Sequence, residues 1–181
     1  MKHGCTKPRG CLMIEHRLIE RAVRVMEMEK KRLEEGGELN PVKIDTLADF
    51  IKTYADRCHH GKEEDILFED LAKRSLSNEE QKVMDELIEE HKLGRKLTGQ
   101  LVSSKDAVIA GDGSKREEVI TTMGRLIEFY PQHIEKEDKR FFPDTEVHYT
   151  EEELERMIED FYEFDRGMIH EKYGMVVEGL E

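Results

Sequence analysis

His59-His60-Gly61-Lys62-Glu63, followed by Leu67-Phe68, and His133-Ile134-Glu135-Lys136-Glu137, followed by Phe141-Phe142, are one pattern written twice. Each copy has a histidine, an acid four residues on and a phenylalanine nine residues on. A second pair keeps the phase: Glu15-His16-Arg17-Leu18 and Glu90-His91-Lys92-Leu93. His59 and His133 are 74 residues apart, His16 and His91 are 75. One His-x-x-x-Glu alone is weak evidence, because Asp and Glu make up 42 of the 181 residues. Four pieces in register are a stronger constraint. They describe a helical hairpin used twice, with one histidine on its first helix and His-x-x-x-Glu on its second.

The apolar residues support this. Leu12, His16, Ile19, Val23 and Met26 recur at helical spacing, and Gly36-Gly37 closes that segment. Asn40-Pro41 opens a second helix with a cap and a proline at its first position. Its inward stripe runs through Ile44, Leu47, Ile51, Ala55, His59, Glu63 and Leu67. Ser77-Asn78-Glu79-Glu80 reads as a capping box opening a third helix to about residue 110. A fourth runs from about Lys115 to Phe141 after the turn Gly111-Asp112-Gly113-Ser114. Thr150-Glu151-Glu152-Glu153 opens a fifth. No segment reads as a strand. The predicted fold is all-α, an up-down-up-down four-helix bundle with an additional C-terminal helix. Residues 1–143 form the bundle, and residues 144–181 form a loop and helix packed on it within the same domain.

Residues four apart on a helix share a face, so each His and its Glu reach toward one point on the bundle axis. Four facing helices bring His16, His59, Glu63, His91, His133 and Glu137 together, all within apolar stripes. Carboxylates buried there without a partner are costly. No Lys or Arg lies on the same stripe near them, so a metal is the expected compensation. Four imidazoles and two carboxylates exceed one tetrahedral zinc. They suit two non-haem iron ions, each with two His, bridged by Glu63 and Glu137 and by a solvent-derived oxo or hydroxo group. Manganese and zinc are alternative occupants.

At these residues, over roughly 12–143, the chain resembles the hemerythrin-like (HHE cation-binding) family. The resemblance implies a four-helix bundle around a di-iron centre. Oxygen carriers of that family place a second histidine one turn after the third-helix ligand, where this chain has Arg95. They also use an acid at +5 on the fourth helix, here Asp138, rather than Glu137. The four-His, two-Glu set is more similar to bacterial di-iron proteins implicated in repairing iron centres and in nitric-oxide stress. The Cys-containing N-terminal domain of that group is absent, with Cys5 and Cys11 at most a remnant.

The resulting expectation is a protein that binds or reacts with a small diatomic or peroxide ligand: oxygen, peroxide or nitric oxide. A protein redox partner is compatible with it. One alternative is an iron or redox sensor, in which metal state alters the packing of the fifth helix. Another is a metal-free interaction bundle. A formal net charge of −13 argues against nucleic acid and an anionic membrane as partners. No apolar run approaches the roughly 18–20 residues of a membrane span. Three cysteines without Cys-x-x-Cys, and no apolar leader, point to a cytoplasmic setting. Oligomeric state is left open.

Several other residues carry expectations. His60, turned about 100° from His59 on an α-helix, reads as an outer or surface residue, and as a ligand only if the register uses His60 and Glu64. Glu15 and Glu90 either orient imidazoles or face solvent. Cys58 reads as a small buried thiol and Tyr130 as core, with a hydrogen bond to an iron-bound oxygen species as its alternative. Pro131 kinks the fourth helix, freeing the Ile127 carbonyl for a ligand imidazole, and Gly94 allows close packing or a small-molecule channel. His170 is assigned to helix packing, with a lid or ligand role as the alternative. His3 and His148 read as loop histidines.

Overall fold

In the computed structural model, residues 5–178 are described, and among them every regular element is helical. Helix α1 spans Pro8–Glu34. Helix α2 is continuous over residues 41–71 and α3 spans Asn78–Ile109. After a 3₁₀ turn at Gly113–Lys115, α4 covers residues 116–146, and α5 spans Glu151–Glu178. Asn40 caps α2, its side chain accepting from the Lys43 amide at 3.1 Å, with Pro41 at the first helical position. Ser77 and Glu80 form the reciprocal capping box at α3. Gly36 and Gly111 end α1 and α3 at φ +87° and +103°, a conformation that favours glycine.

Two helix boundaries and one cysteine pairing differ from expectation. Helix α1 begins four residues before Leu12, at Pro8, where proline's missing N–H costs nothing. Helix α4 continues past Phe141 to residue 146. Cys5 and Cys11, which gave no pairing signal in the sequence, are joined as a disulfide next to the start of α1, while Cys58 is a free, buried thiol.

Helices α1 to α4 form the bundle, each packed on its neighbours, and α5 lies outside against α1 and α2. The core has two apolar bodies. One contains Ile19, Met26, Leu97, Leu101, Met123, Leu126 and Tyr130. The other contains Leu12, Phe68, Leu87, Phe141, Phe142 and Phe161. On α1, His16 falls between Leu12 of the second body and Ile19 of the first. On α4, His133 and Glu137 fall between Tyr130 and Phe141. The bundle therefore carries a buried polar layer with apolar packing on both sides.

Helices α2 and α4 are not regular where they cross this layer. π-Helical turns occupy Ile51–His60 and Glu63–Phe68 on α2, and Glu137–Phe141 on α4. A π turn closes i→i+5 bonds and holds more residues than the 3.6 of an α turn. Consecutive side chains are therefore separated by a smaller angle around the helix axis.

Candidate metal centre

The structure brings all six sequence-predicted residues into the polar layer: His16, His59, Glu63, His91, His133 and Glu137, none more than 2% exposed. They form two half-sites. In one, His16, His59, Glu63 and Glu137 offer ligand atoms within 4.8 Å of one another. In the other, His60, Glu63, His91 and His133 do the same. The carboxylates lie between the halves. Glu137 puts one oxygen 3.2 Å from His16 Nε2 and the other 3.1 Å from His133 Nε2. Glu63 puts its oxygens 3.5 Å from His59 Nε2 and 3.4 Å from His91 Nε2.

Every imidazole is held from behind. A carboxylate only accepts, so the ring Nδ1 donates and a neutral ring turns the lone pair of Nε2 inward. His16 donates to Asp138 at 2.7 Å and His59 to Glu15 at 2.8 Å. His91 donates to Glu64 at 2.7 Å and His133 to Glu90 at 2.8 Å. The carboxylates in turn meet cations: Arg17 at Asp138, Lys62 at Glu15, Arg95 at Glu64 and Lys136 at Glu90. Such outer partners fix ring orientation and raise ligand basicity. The pairing crosses between helices. Glu15 and Glu90 precede His16 and His91 in sequence, yet serve His59 and His133. The acids that follow Glu63 and Glu137, namely Glu64 and Asp138, serve His91 and His16. The hairpin repeat of the sequence is a pseudo-twofold in the centre.

His60 breaks that symmetry. The sequence pattern placed it outside the site, but it is 2% exposed, with its ring stacked on His91 at 3.9 Å. The π turns cause this, because their smaller angular step lets His59 and His60 both face inward. In the other repeat the residue after the histidine is Ile134, a core side chain. No sequence signal marks the π turns, although the doubled histidine opposite a single one is a visible asymmetry.

The inward face lacks compensation. Nε2 of His60, His91 and His133 and both oxygens of Glu63 and Glu137 are buried without a hydrogen bond. Nε2 of His16 and His59 lie 2.8 Å apart. Acceptors facing acceptors in an apolar setting require protons or cations between them. Without metal, protons serve. Burial opposes a charge on His16, but the hydrogen bond to Asp138 and the adjacent Glu137 carboxylate outweigh it and raise its pKa to about 10. Burial likewise opposes a charge on His91, and the adjacent carboxylates of Glu137 and Glu63 together with the hydrogen bond to Glu64 raise it to about 11. His133 is raised for the same reasons, and burial of Glu137 is outweighed by His133, His16 and His91, which hold it well below the usual carboxylate range. His60 goes the other way, kept neutral by burial and then by repulsion from His91 and His133. A set of imidazole nitrogens and carboxylates aimed at two points is a donor set that fits divalent metal, iron or its neighbours.

A hemerythrin HHE cation-binding domain model matches residues 7–145. The chain belongs to the hemerythrin HHE cation-binding family. Neither a curated protein nor a solved structure matches the chain significantly. Membership accounts for the helical bundle and for the cation-binding character of the polar layer.

The remaining sequence expectations divide. Cys58 is a buried thiol that donates to Asp165 on α5 at 3.2 Å, and burial, opposed by Lys62, pushes its pKa up to about 12. Glu15, Cys58 and Asp165 also cluster, but Lys62 already supplies a cation there, 2.8 Å from Asp165. Lys62 is therefore buried close to the centre, off the ligand stripe, where it reaches the outer acid Glu15 and not the bridging pair. Pro131 lies inside α4, but His133 Nδ1 bonds Glu90 rather than the freed Ile127 carbonyl, because Glu90 is charged and closes the Lys136 pair. A Cβ at Gly94 would meet the Phe129 ring at 3.2 Å, and that ring stacks on His133. His148 bonds Glu80 at 2.8 Å. His3 and the side chain of His170 lie outside the described residues. Among the described residues no helix is long and apolar enough to cross a membrane.

Proposed function

We propose that the chain is a non-haem di-iron protein that binds or reacts with a small oxidant, namely oxygen, peroxide or nitric oxide. The observation that carries this is the pair of half-sites that share Glu63, with Glu137 reaching from His16 in one to His133 in the other. Two convergence points with common carboxylates describe a bridged pair of ions, and a single ion would leave one half uncompensated. When bound, iron would supply redox and diatomic-ligand chemistry. The protein's own part is to hold five imidazoles by their outer carboxylates, to exclude bulk water with two apolar bodies, and to keep Glu137 ionised. Its ligand set is read as nearest to that of the iron-centre repair type, and its setting as the cytoplasm.

The test is anaerobic loading with ferrous iron. Two irons per chain, and a near-ultraviolet and visible response to oxygen, peroxide or nitric oxide, are expected. One metal per chain at saturation, or no spectral response to any of the three, refutes the proposal.

A second reading, an iron or redox sensor, has its own support. Lys62 joins Glu15, the outer partner of His59, to Asp165 on α5. A change at the centre thus has a charged route to the added helix. Identical limited-proteolysis patterns for metal-free, reduced and oxidised protein would exclude it.

A further inference from the structure

Among the five inward-facing imidazoles, His60 is held differently. Its Nδ1 lies 3.4 Å from Asp56, against 2.7–2.8 Å for the outer bonds of the other four. Asp56 is also committed elsewhere, to Arg95 Nε at 2.7 Å. His60 further has space beside it. A cavity of about 190 Å³ lies between α2, α3 and α4, walled by Ile51, Asp56, Gly94, Arg95, Thr98 and Tyr130, and His60 is part of its lining. None of the other four imidazoles lines a described cavity. The Thr98 hydroxyl, in the same wall, donates to the Gly94 carbonyl at 2.8 Å.

The cavity has an outer counterpart. A depression of about 480 Å³ between α2, α3 and α5 shares Asp56 and Arg95 with it and is also bordered by Glu64. Arg95 lines both spaces, with Nε on Asp56 and Nη2 on Glu64 at 2.5 Å. One side chain thus borders the inner and the outer space and holds the outer carboxylates of both His60 and His91. Arg95 is partly exposed, 39% at its side chain, so breaking its pairs exchanges them for water at small cost.

We propose that His60 is the exchangeable imidazole of the centre: a linear donor molecule of two or three atoms, entering past Arg95, takes the coordination position that His60 vacates into the cavity. This rests on the metal-binding, small-ligand reading above. The step is a ligand substitution: one metal–nitrogen bond breaks, one metal–ligand bond forms, and no electron is transferred. Asp56 remains to receive the Nδ1–H of His60. The other four imidazoles cannot do this, since each has a tight carboxylate behind it and packed side chains around it.

The experiment uses the full chain loaded with iron and oxidised to the ferric state, with azide as the probe. His60→Ala is expected to retain two irons per chain and to bind azide at least tenfold more tightly, because no internal ligand competes. In the wild-type protein, the number of metal-bound imidazoles counted by X-ray absorption should fall by one when azide binds. Thr98→Leu fills the cavity and leaves His60 in place; it should keep two irons and slow azide binding at least tenfold. This second variant decides the matter if His60→Ala does not fold. Loss of iron in His60→Ala, unchanged azide affinity in it, azide binding to neither protein, or an unchanged azide rate in Thr98→Leu each overturns the proposal. Reactivity toward oxygen, peroxide and nitric oxide is scored separately. A reactive wild-type protein with unchanged azide affinity in His60→Ala ends the exchange proposal alone. An unreactive one with tightened azide binding ends the oxidant reading alone.

Discussion

An inward-facing imidazole here is the first member of a series: ring, carboxylate, then Lys or Arg. Removing a middle member leaves the ligand present but poorly oriented. Glu90→Ala frees the His133 ring and leaves Lys136 with its longer contact to Glu86. It should weaken metal binding about 10–100-fold, as outer-partner substitutions do, with helix content unchanged; competition with a chromophoric chelator measures it. An unaltered affinity would mean that packing alone orients His133. Glu137→Gln is a harsher change, because it removes the charge shared by both half-sites. Metal content should fall below half of the wild-type value, and melting temperature should fall with it, since metal that binds only the folded state stabilises it. A metal-free bundle would instead tolerate this change or gain from it, so calorimetry with metal analysis separates the two. Much of this scale was legible in the sequence, because His-x-x-x-Glu in duplicate has a face and a phase. Glu15 and Glu90 were legible as candidate outer acids but their partners were not, since Glu15 serves a histidine 44 residues away rather than its neighbour, and one helix cannot reveal a partner on another.

Elements were readable where local chemistry decides them. Asn40-Pro41, Ser77 with Glu80, and Gly36 mark boundaries by satisfying or ending backbone bonds, and the structure uses each of them. The π turns of α2 and α4 were hidden because they arise from tertiary demands on residues that would suit an α-helix equally well. His60 was misplaced for that reason alone. The capping box of α3 gives a prediction at this scale. Ser77→Ala removes the acceptor for the Glu80 amide and should cost about 1 kcal/mol, read from urea denaturation. Glu80 adds a pH dependence. Its carboxyl bonds the Ser77 hydroxyl and amide and also His148, and together these lower its pKa to about 2 from 4.5. A carboxyl with a depressed folded pKa stabilises above its unfolded value and loses that contribution as pH falls toward the folded one. The stability gap between wild type and Glu80→Gln should therefore be full above about pH 5 and close progressively toward pH 2. A gap that persists at low pH would assign the effect to shape rather than charge.

At the scale of the molecule, the bundle places a charged layer between two apolar bodies and then lays a fifth helix over one side. That helix was legible as a helix, from Thr150 and the acids after it, but its docking was not, because the docking partners are singular. A Cβ at Gly61 would sit 2.7 Å from the Phe164 ring, so glycine there lets α5 approach α2. Asp165 receives both Lys62 and the Cys58 thiol. The buried Lys62 thus divides its charge between Glu15, behind His59, and Asp165 on α5, and burial of Lys62 is outweighed mainly by Glu15. If the centre draws Glu15 more firmly toward His59 when metal binds, the third member of the series must adjust, and α5 is where the adjustment ends. Asp165→Asn keeps the size and the acceptor for Cys58 but removes the charge facing Lys62. Hydrogen exchange of α5 amides should then accelerate while those of α3 and α4 stay unchanged. Metal loading should slow α5 exchange in the wild-type protein and do so less in the variant. Equal protection in both would show that α5 feels the centre through general tightening of the bundle, with Lys62 serving only to satisfy two acids.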